Sequence, residues 1–167
     1  IIFIIYIIRD VKQVIINYKS VFNSVLNIKH DITIDEKYNL IKLRGQIQIG
    51  IHSKIKNFLK KHKNLKNIEI NSSGGLIEES LRISELILQH ELNTYTTKYC
   101  FSACTIIFAS GKNRYKTINS NIGFHKSNYE FPELENKQVD LFIKQDISFD
   151  LIEKMFIAEN KKMFYPS

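Results

Sequence analysis

The chain has 167 residues, 44% hydrophobic and 25% charged, which fits one globular domain with a sizeable core and excludes a disordered or fibrous protein. Twenty-four lysines and arginines against 17 acidic residues give a formal charge of +7, most of it lysine scattered among asparagine and isoleucine. That spread lacks the basic stripe with interleaved aromatics of a nucleic-acid surface, so no nucleic acid is expected as a partner.

The chain opens Ile-Ile-Phe-Ile-Ile-Tyr-Ile-Ile without an initiator methionine. An apolar run this short does not span a bilayer, which takes about 20 residues. It reads as the tail of a truncated membrane anchor or signal segment, the alternative being a buried strand. Residues 10–30 carry Val11, Val14, Ile15, Val21, Phe22, Val25 and Leu26 at helical spacing, a lead-in helix. Alternation from Ile32 to Gly45, broken near Asp35–Asn39, predicts a hairpin. Residues 50–63 form a helix with Ile51, Ile55, Phe58 and Leu59 on one side. Lys54, Lys56, Lys60, Lys61 and Lys63 of the same stretch read as its solvated face.

Asn67–Asn71 is a short strand running into Ser72-Ser73-Gly74-Gly75, and 76–91 is a strongly amphipathic helix. Residues 93–99, Asn-Thr-Tyr-Thr-Thr-Lys-Tyr, form a strand, and 102–110 a short apolar helix. Residues 114–119 and 121–126 are two more strands, and from Glu133 the pattern is helical to near the end. Strand and helix in alternation predict crossover units on a largely parallel sheet, an α/β fold.

Three features then fall at the carboxyl ends of strands, where open α/β sheets carry their sites. Gly74-Gly75 permits a positive-φ turn and presents N–H groups at a helix start, suited to an anion or developing oxyanion. A glycine pair also serves merely to turn the chain. Ser102 stands before an apolar helix, where a serine is commonly an N-cap. His125 ends a strand, where a histidine is more often structural. An acyl-transfer site needs a nucleophile, a base within reach and preorganised N–H donors, and the three segments supply these on consecutive units.

Asn-Ser-Ser-Gly-Gly before an amphipathic helix, Ser-Ala-Cys opening an apolar helix and then Gly-Phe-His resemble the Clp-type serine protease superfamily. That superfamily includes the Clp proteolytic subunit and signal peptide peptidase A. The resemblance implies the ClpP/crotonase-like spiral of ββα units with a mostly parallel sheet, and it covers residues 40–127. The nearest pattern is an extracytoplasmic branch with Cys-x-Ser-Ala-Cys. It implies Ser102 as nucleophile, His125 as general base, and the backbone N–H groups of Gly75 and Ala103 as oxyanion donors. The third triad member would fall near 158–162, where the chain has no aspartate; Glu159 is first in line and Asn160 second, with Asp140, Asp146 and Asp150 as fallbacks. Ser73 replaces the proline usual before the glycine pair, which loosens the turn without removing donors.

The resemblance implies a serine peptidase or related hydrolase without metal or cofactor, a peptide or protein substrate, and a homo-oligomer. A catalytically inactive scaffold or regulatory subunit is the second reading, favoured by the missing aspartate. A crotonase-like acyl-CoA enzyme is the third, and it gives a Ser/His pair no role. The organisation expected is an anchor or signal segment with lead-in helix over 1–30 and one Clp-protease-like domain over 31–167, truncated at its C-terminus. The location expected is membrane-associated or extracytoplasmic, with the cytoplasm as the alternative. Cys100 and Cys104 are either a disulfide bracketing the serine, in an oxidising compartment, or two buried thiols acting as small hydrophobes.

Overall fold

The computed structural model describes residues 30–125, 132–157 and 163–166. The apolar start, the lead-in helix, Glu159 and Asn160 lie outside the described residues.

Strands β1 (His30–Asp35) and β2 (Leu40–Gly45) form an antiparallel hairpin, turned by a short 3₁₀ segment and left-handed Asn39 (φ 48°). Helix α1 (Ile51–Lys61) leads to β3 (Asn67–Asn71), and α2 (Ile77–Gln89) leads to β4 (Asn93–Thr96). Next come β5 (Tyr99–Phe101), α3 (Cys104–Ala109), β6 (Arg114–Lys116) and β7 (Asn121–Gly123). Helices α4 (Pro132–Lys144) and α5 (Phe149–Ile157) follow. The main sheet has the order β1-β2-β3-β4-β6 and is parallel from β2 onward. A second, two-stranded parallel sheet pairs β5 with β7.

Burial explains the layout. Ile41 and Leu43 of β2 and Ile68 and Ile70 of β3 point to one side and are fully buried. Ile51, Ile55 and Leu59 recur every four residues along α1 and meet them, as do Ile83 and Ile87 of α2. Each such side chain contributes about 1.5–3 kcal/mol of transfer free energy. Lys54, Lys56, Lys60 and Lys61 are exposed on the opposite face of α1. A second cluster joins Ala103, Ile106 and Phe124 to Phe142 of α4 and to Ile152 and Met155 of α5. Phe142 is therefore core, whereas Phe149 is 73% exposed. No helix among the described residues is long and apolar enough to cross a membrane.

Two predicted elements divide. The strand expected over 93–99 breaks at Thr97-Lys98, and its halves join different sheets. The cause is Asn71, almost fully buried at the end of β3. Its Oδ1 accepts the N–H groups of Thr97 (3.2 Å) and Lys98 (2.8 Å). Its Nδ2 donates to Glu69 Oε1 and to Thr97 Oγ1, both at 2.9 Å. The helix expected from Glu133 onward breaks after Lys144, where Ile147 N–H returns to the Phe142 carbonyl (3.0 Å) and Asp146 adopts φ 55°.

Truncating Asn71 removes the shared acceptor of two amide N–H groups, those of the exposed residues Thr97 and Lys98. Asn71→Ala is expected to lower the unfolding free energy by about 2–3 kcal/mol, measured by urea titration.

Candidate active site

The end of β3 binds the two sheets together. Ser72 N–H donates to the Tyr99 carbonyl (3.1 Å) and Phe101 N–H to the Ser72 carbonyl (2.9 Å). Cys100 therefore lies beside Ser72 on one side and Ile122 on the other. The pairing carries past the last strand residues, because Ser102 N–H donates to the Gly123 carbonyl (2.9 Å). Beyond Gly123, Phe124 exchanges two backbone bonds with Phe164, at 2.9 and 2.7 Å. The ends of β5 and β7, and so Ser102 and His125, are held next to one another by the ladder.

Ser102 has φ 53°, a left-handed conformation uncommon for a residue with a Cβ. It is not the N-cap of α3. Ala103 holds that position, and no side chain caps the helix. Among the described residues the Ser102 hydroxyl makes no hydrogen bond, whereas its carbonyl accepts Thr105 N–H (2.9 Å) and Thr105 Oγ1–H (2.7 Å). The half-buried serine lines a cleft of about 860 Å³. His125 lines the same cleft, as do Gly75 and Ala103. Among the described residues no hydrogen bond joins Ser102 to His125, although His125 is not without a partner.

The glycine turn is built by sterics. Gly74 has φ 102°, and a Cβ there would lie 2.8 Å from Ser102 Cβ and 2.9 Å from the Phe101 carbonyl oxygen. Gly75 has φ 147°, and a Cβ there would enter the Ile47 backbone. Ile47 N–H donates to the Gly74 carbonyl and Leu76 N–H to the Ile47 carbonyl, both at 2.9 Å. Gly74 N–H is taken by Ser72 Oγ (3.0 Å). The N–H groups of Gly75 and Ala103 have no acceptor among the described residues. Both belong to cleft-lining residues, a donor pair of the kind that stabilises an oxyanion.

Cleft walls are apolar on the side of Ile106, Phe124, Met155 and Phe156. Asp140, Asp146 and Asp150 do not line the cleft, and Asp150 is paired with Lys154 at 2.7 Å. The cleft carboxylates are instead Glu78, Glu79, Glu133 and Glu135, none singled out from sequence. Glu79 is 6% exposed and accepts His52 N–H (2.8 Å) in the first turn of α1. Its signal was available: it stands one turn before Ile83 on the buried stripe of α2. Glu78 pairs with Arg82 at 2.7 Å on the exposed rim. Cys100 and Cys104 are joined as a disulfide with Cα atoms 5.3 Å apart, both fully buried. No three His, Cys, Asp or Glu side chains among the described residues are grouped as metal ligands.

No family model and no curated protein sequence matches the chain. Solved structures do. ClpP1 from Listeria monocytogenes is similar with a TM-score of 0.65 and 19% identity, over 78% of this chain and 84% of that one. The ClpP protease catalytic domain from Plasmodium falciparum is similar with a TM-score of 0.63 and 22% identity, over 81% of this chain and 86% of that one. The fold is the α/β ClpP-like fold with its mostly parallel sheet.

Gly74→Ala places a methyl group against Ser102 at a φ that side chains resist. We expect a loss of about 1–3 kcal/mol in stability by calorimetry, with the largest chemical-shift changes at Ser102 and Ala103 rather than in the main core.

Proposed function

We propose that this chain is a serine hydrolase, a Clp-like serine peptidase. What supports the reading is that Ser102, His125, Gly75 and Ala103 all line one cleft, and that the N–H groups of Gly75 and Ala103 have no acceptor among the described residues. Ser102 Oγ attacks the carbonyl carbon of a bound peptide, and His125 takes the hydroxyl proton. The carbonyl oxygen becomes an oxyanion that accepts the Gly75 and Ala103 N–H groups. The intermediate collapses, the amine leaves with the proton returned by His125, and an acyl-serine remains. Water, deprotonated by the same histidine, then releases the acid. Glu159 is the proposed orienting carboxylate for His125. No cofactor enters these steps.

The left-handed φ of Ser102 supports this reading over a helix cap. A capping serine sits in extended backbone and bonds the helix N–H groups, and Ser102 does neither. The apolar wall of Ile106, Phe124, Met155 and Phe156 suits an apolar side chain of a peptide or protein substrate. The buried disulfide supports an oxidising, extracytoplasmic location, to which a membrane tether at the apolar start would hold the domain. Self-association is part of the proposal, by analogy with the Clp-type resemblance alone. The scaffold reading keeps the missing aspartate near residues 158–162 in its favour.

A fluorophosphonate probe separates the two. The hydrolase labels at Ser102; Ser102→Ala abolishes labelling, and His125→Ala slows it by at least about 100-fold. A folded chain that does not label is a scaffold.

A further inference from the structure

We propose that the Cys100–Cys104 disulfide is a positioning group for Ser102, holding the strand-to-helix turn so that the serine keeps its left-handed conformation and its rate of acylation. The inference rests on the hydrolase reading above.

Cys100 is the middle residue of β5 and Cys104 the first residue of α3. Ser102 lies midway between them, at φ 53°. The bond therefore ties the strand to the helix directly across the residue whose conformation is least favoured. Ordinary hydrogen bonds hold the same turn from three directions: Ser102 N–H to Gly123, Thr105 N–H to Ser102, and Phe101 N–H to Ser72. Each can open without the others. The disulfide alone fixes the 5.3 Å separation of the two Cα atoms covalently.

A general gain in stability is a weak alternative. A crosslink between residues four apart closes a very short loop, and the entropy it removes from the unfolded chain is smaller than that removed by a long one. A redox switch fits no better. Both cysteines have no exposed surface, and they sit in the main core cluster with Ile70, Ile83 and Ile107 rather than lining the cleft. Solvent reductants do not reach the sulfurs of the folded protein. What remains is local geometry. Opening the bond lets Ser102 relax toward the extended or right-handed basins, which swings its Oγ relative to His125 and to the Gly75 and Ala103 N–H groups. A displacement of about 1 Å at such a site costs about 100-fold in rate.

The test compares the full chain with Cys100→Ala/Cys104→Ala, and with wild type refolded under reductant and then reoxidised. Concentration dependence of fluorophosphonate labelling gives the limiting rate and the half-saturating concentration. Amide exchange is followed over residues 101–105. We expect the limiting rate to fall about 10- to 100-fold at unchanged half-saturation. Exchange should accelerate at 102–104 while the main sheet stays protected, and reoxidation should restore both. An unchanged limiting rate with only a lower melting temperature overturns the proposal. Should the alanines leave the chain unfolded, Cys100→Val/Cys104→Ala refills the core. Unfolding of both variants would assign the bond to global stability and also overturn the proposal. If the oxidised wild type does not label at all, the hydrolase reading fails. Exchange then decides the positioning role alone, and unchanged exchange at 102–104 rejects it.

Discussion

The arrangement of the cleft depends on one buried carboxamide. Asn71 ends β3, and its side chain occupies the place where the next backbone amides of a continuing β4 would pair. By accepting the Thr97 and Lys98 N–H groups it keeps both donors paired as the chain leaves the main sheet at the surface. Each of these bonds contributes about 1 kcal/mol net. Once released, Tyr99–Phe101 docks beside Ser72 and forms a new parallel pair with Asn121–Gly123. Every later contact follows from that exit: Cys100 beside Ser72, Ser102 bonded to Gly123, and His125 one step past Phe124.

The glycine turn shows the same economy of backbone. Ser72 Oγ takes the Gly74 N–H, Ile47 takes the Gly74 carbonyl and the Leu76 N–H, and the Gly75 N–H has no acceptor among the described residues. Neither glycine tolerates a Cβ, for different reasons. Gly74 is crowded by Ser102 itself, and Gly75 by the backbone of Ile47. The residue the resemblance would make a proline, Ser73, is exposed, and the bonds that fix the turn run through its neighbours. The departure from the Clp-type pattern at that position therefore leaves the N–H geometry intact.

Much of this was legible from residue order. Period-four isoleucines gave α1, alternation gave β2 and β3, and Gly-Gly between a strand and a helix marked the turn. What escaped was tertiary in origin. Asn-Thr-Tyr-Thr-Thr-Lys-Tyr has continuous β propensity, and nothing local says that a side chain 26 residues earlier will divide it at Thr97. The break before Ile147 is made by a return to the Phe142 carbonyl where no glycine or proline announces a stop. The serine before the apolar helix looked like a cap because sequence cannot show that the helix starts two residues later with Ala103 at its N-cap. Glu79 was overlooked because a carboxylate on an amphipathic helix is normally solvated, although its place on the buried stripe argued otherwise.

Ser102, Gly75 and Ala103 share a thermodynamic character that ties fold to chemistry. A serine in left-handed backbone costs about 1 kcal/mol, and each N–H without an acceptor forgoes a hydrogen bond of about 1 kcal/mol. A sequence under no demand but stability would replace Ser102 by glycine and let a side chain or carbonyl reach the two donors. The surrounding structure holds the unfavourable arrangement with rigid parts: a parallel ladder on one side of Cys100 and a bridge to Ser72 on the other, a covalent link to Cys104, and a helix whose Ile106 and Ile107 are wholly buried. Local strain persisting inside so constrained a frame is what the proposed acylating role of Ser102 would require.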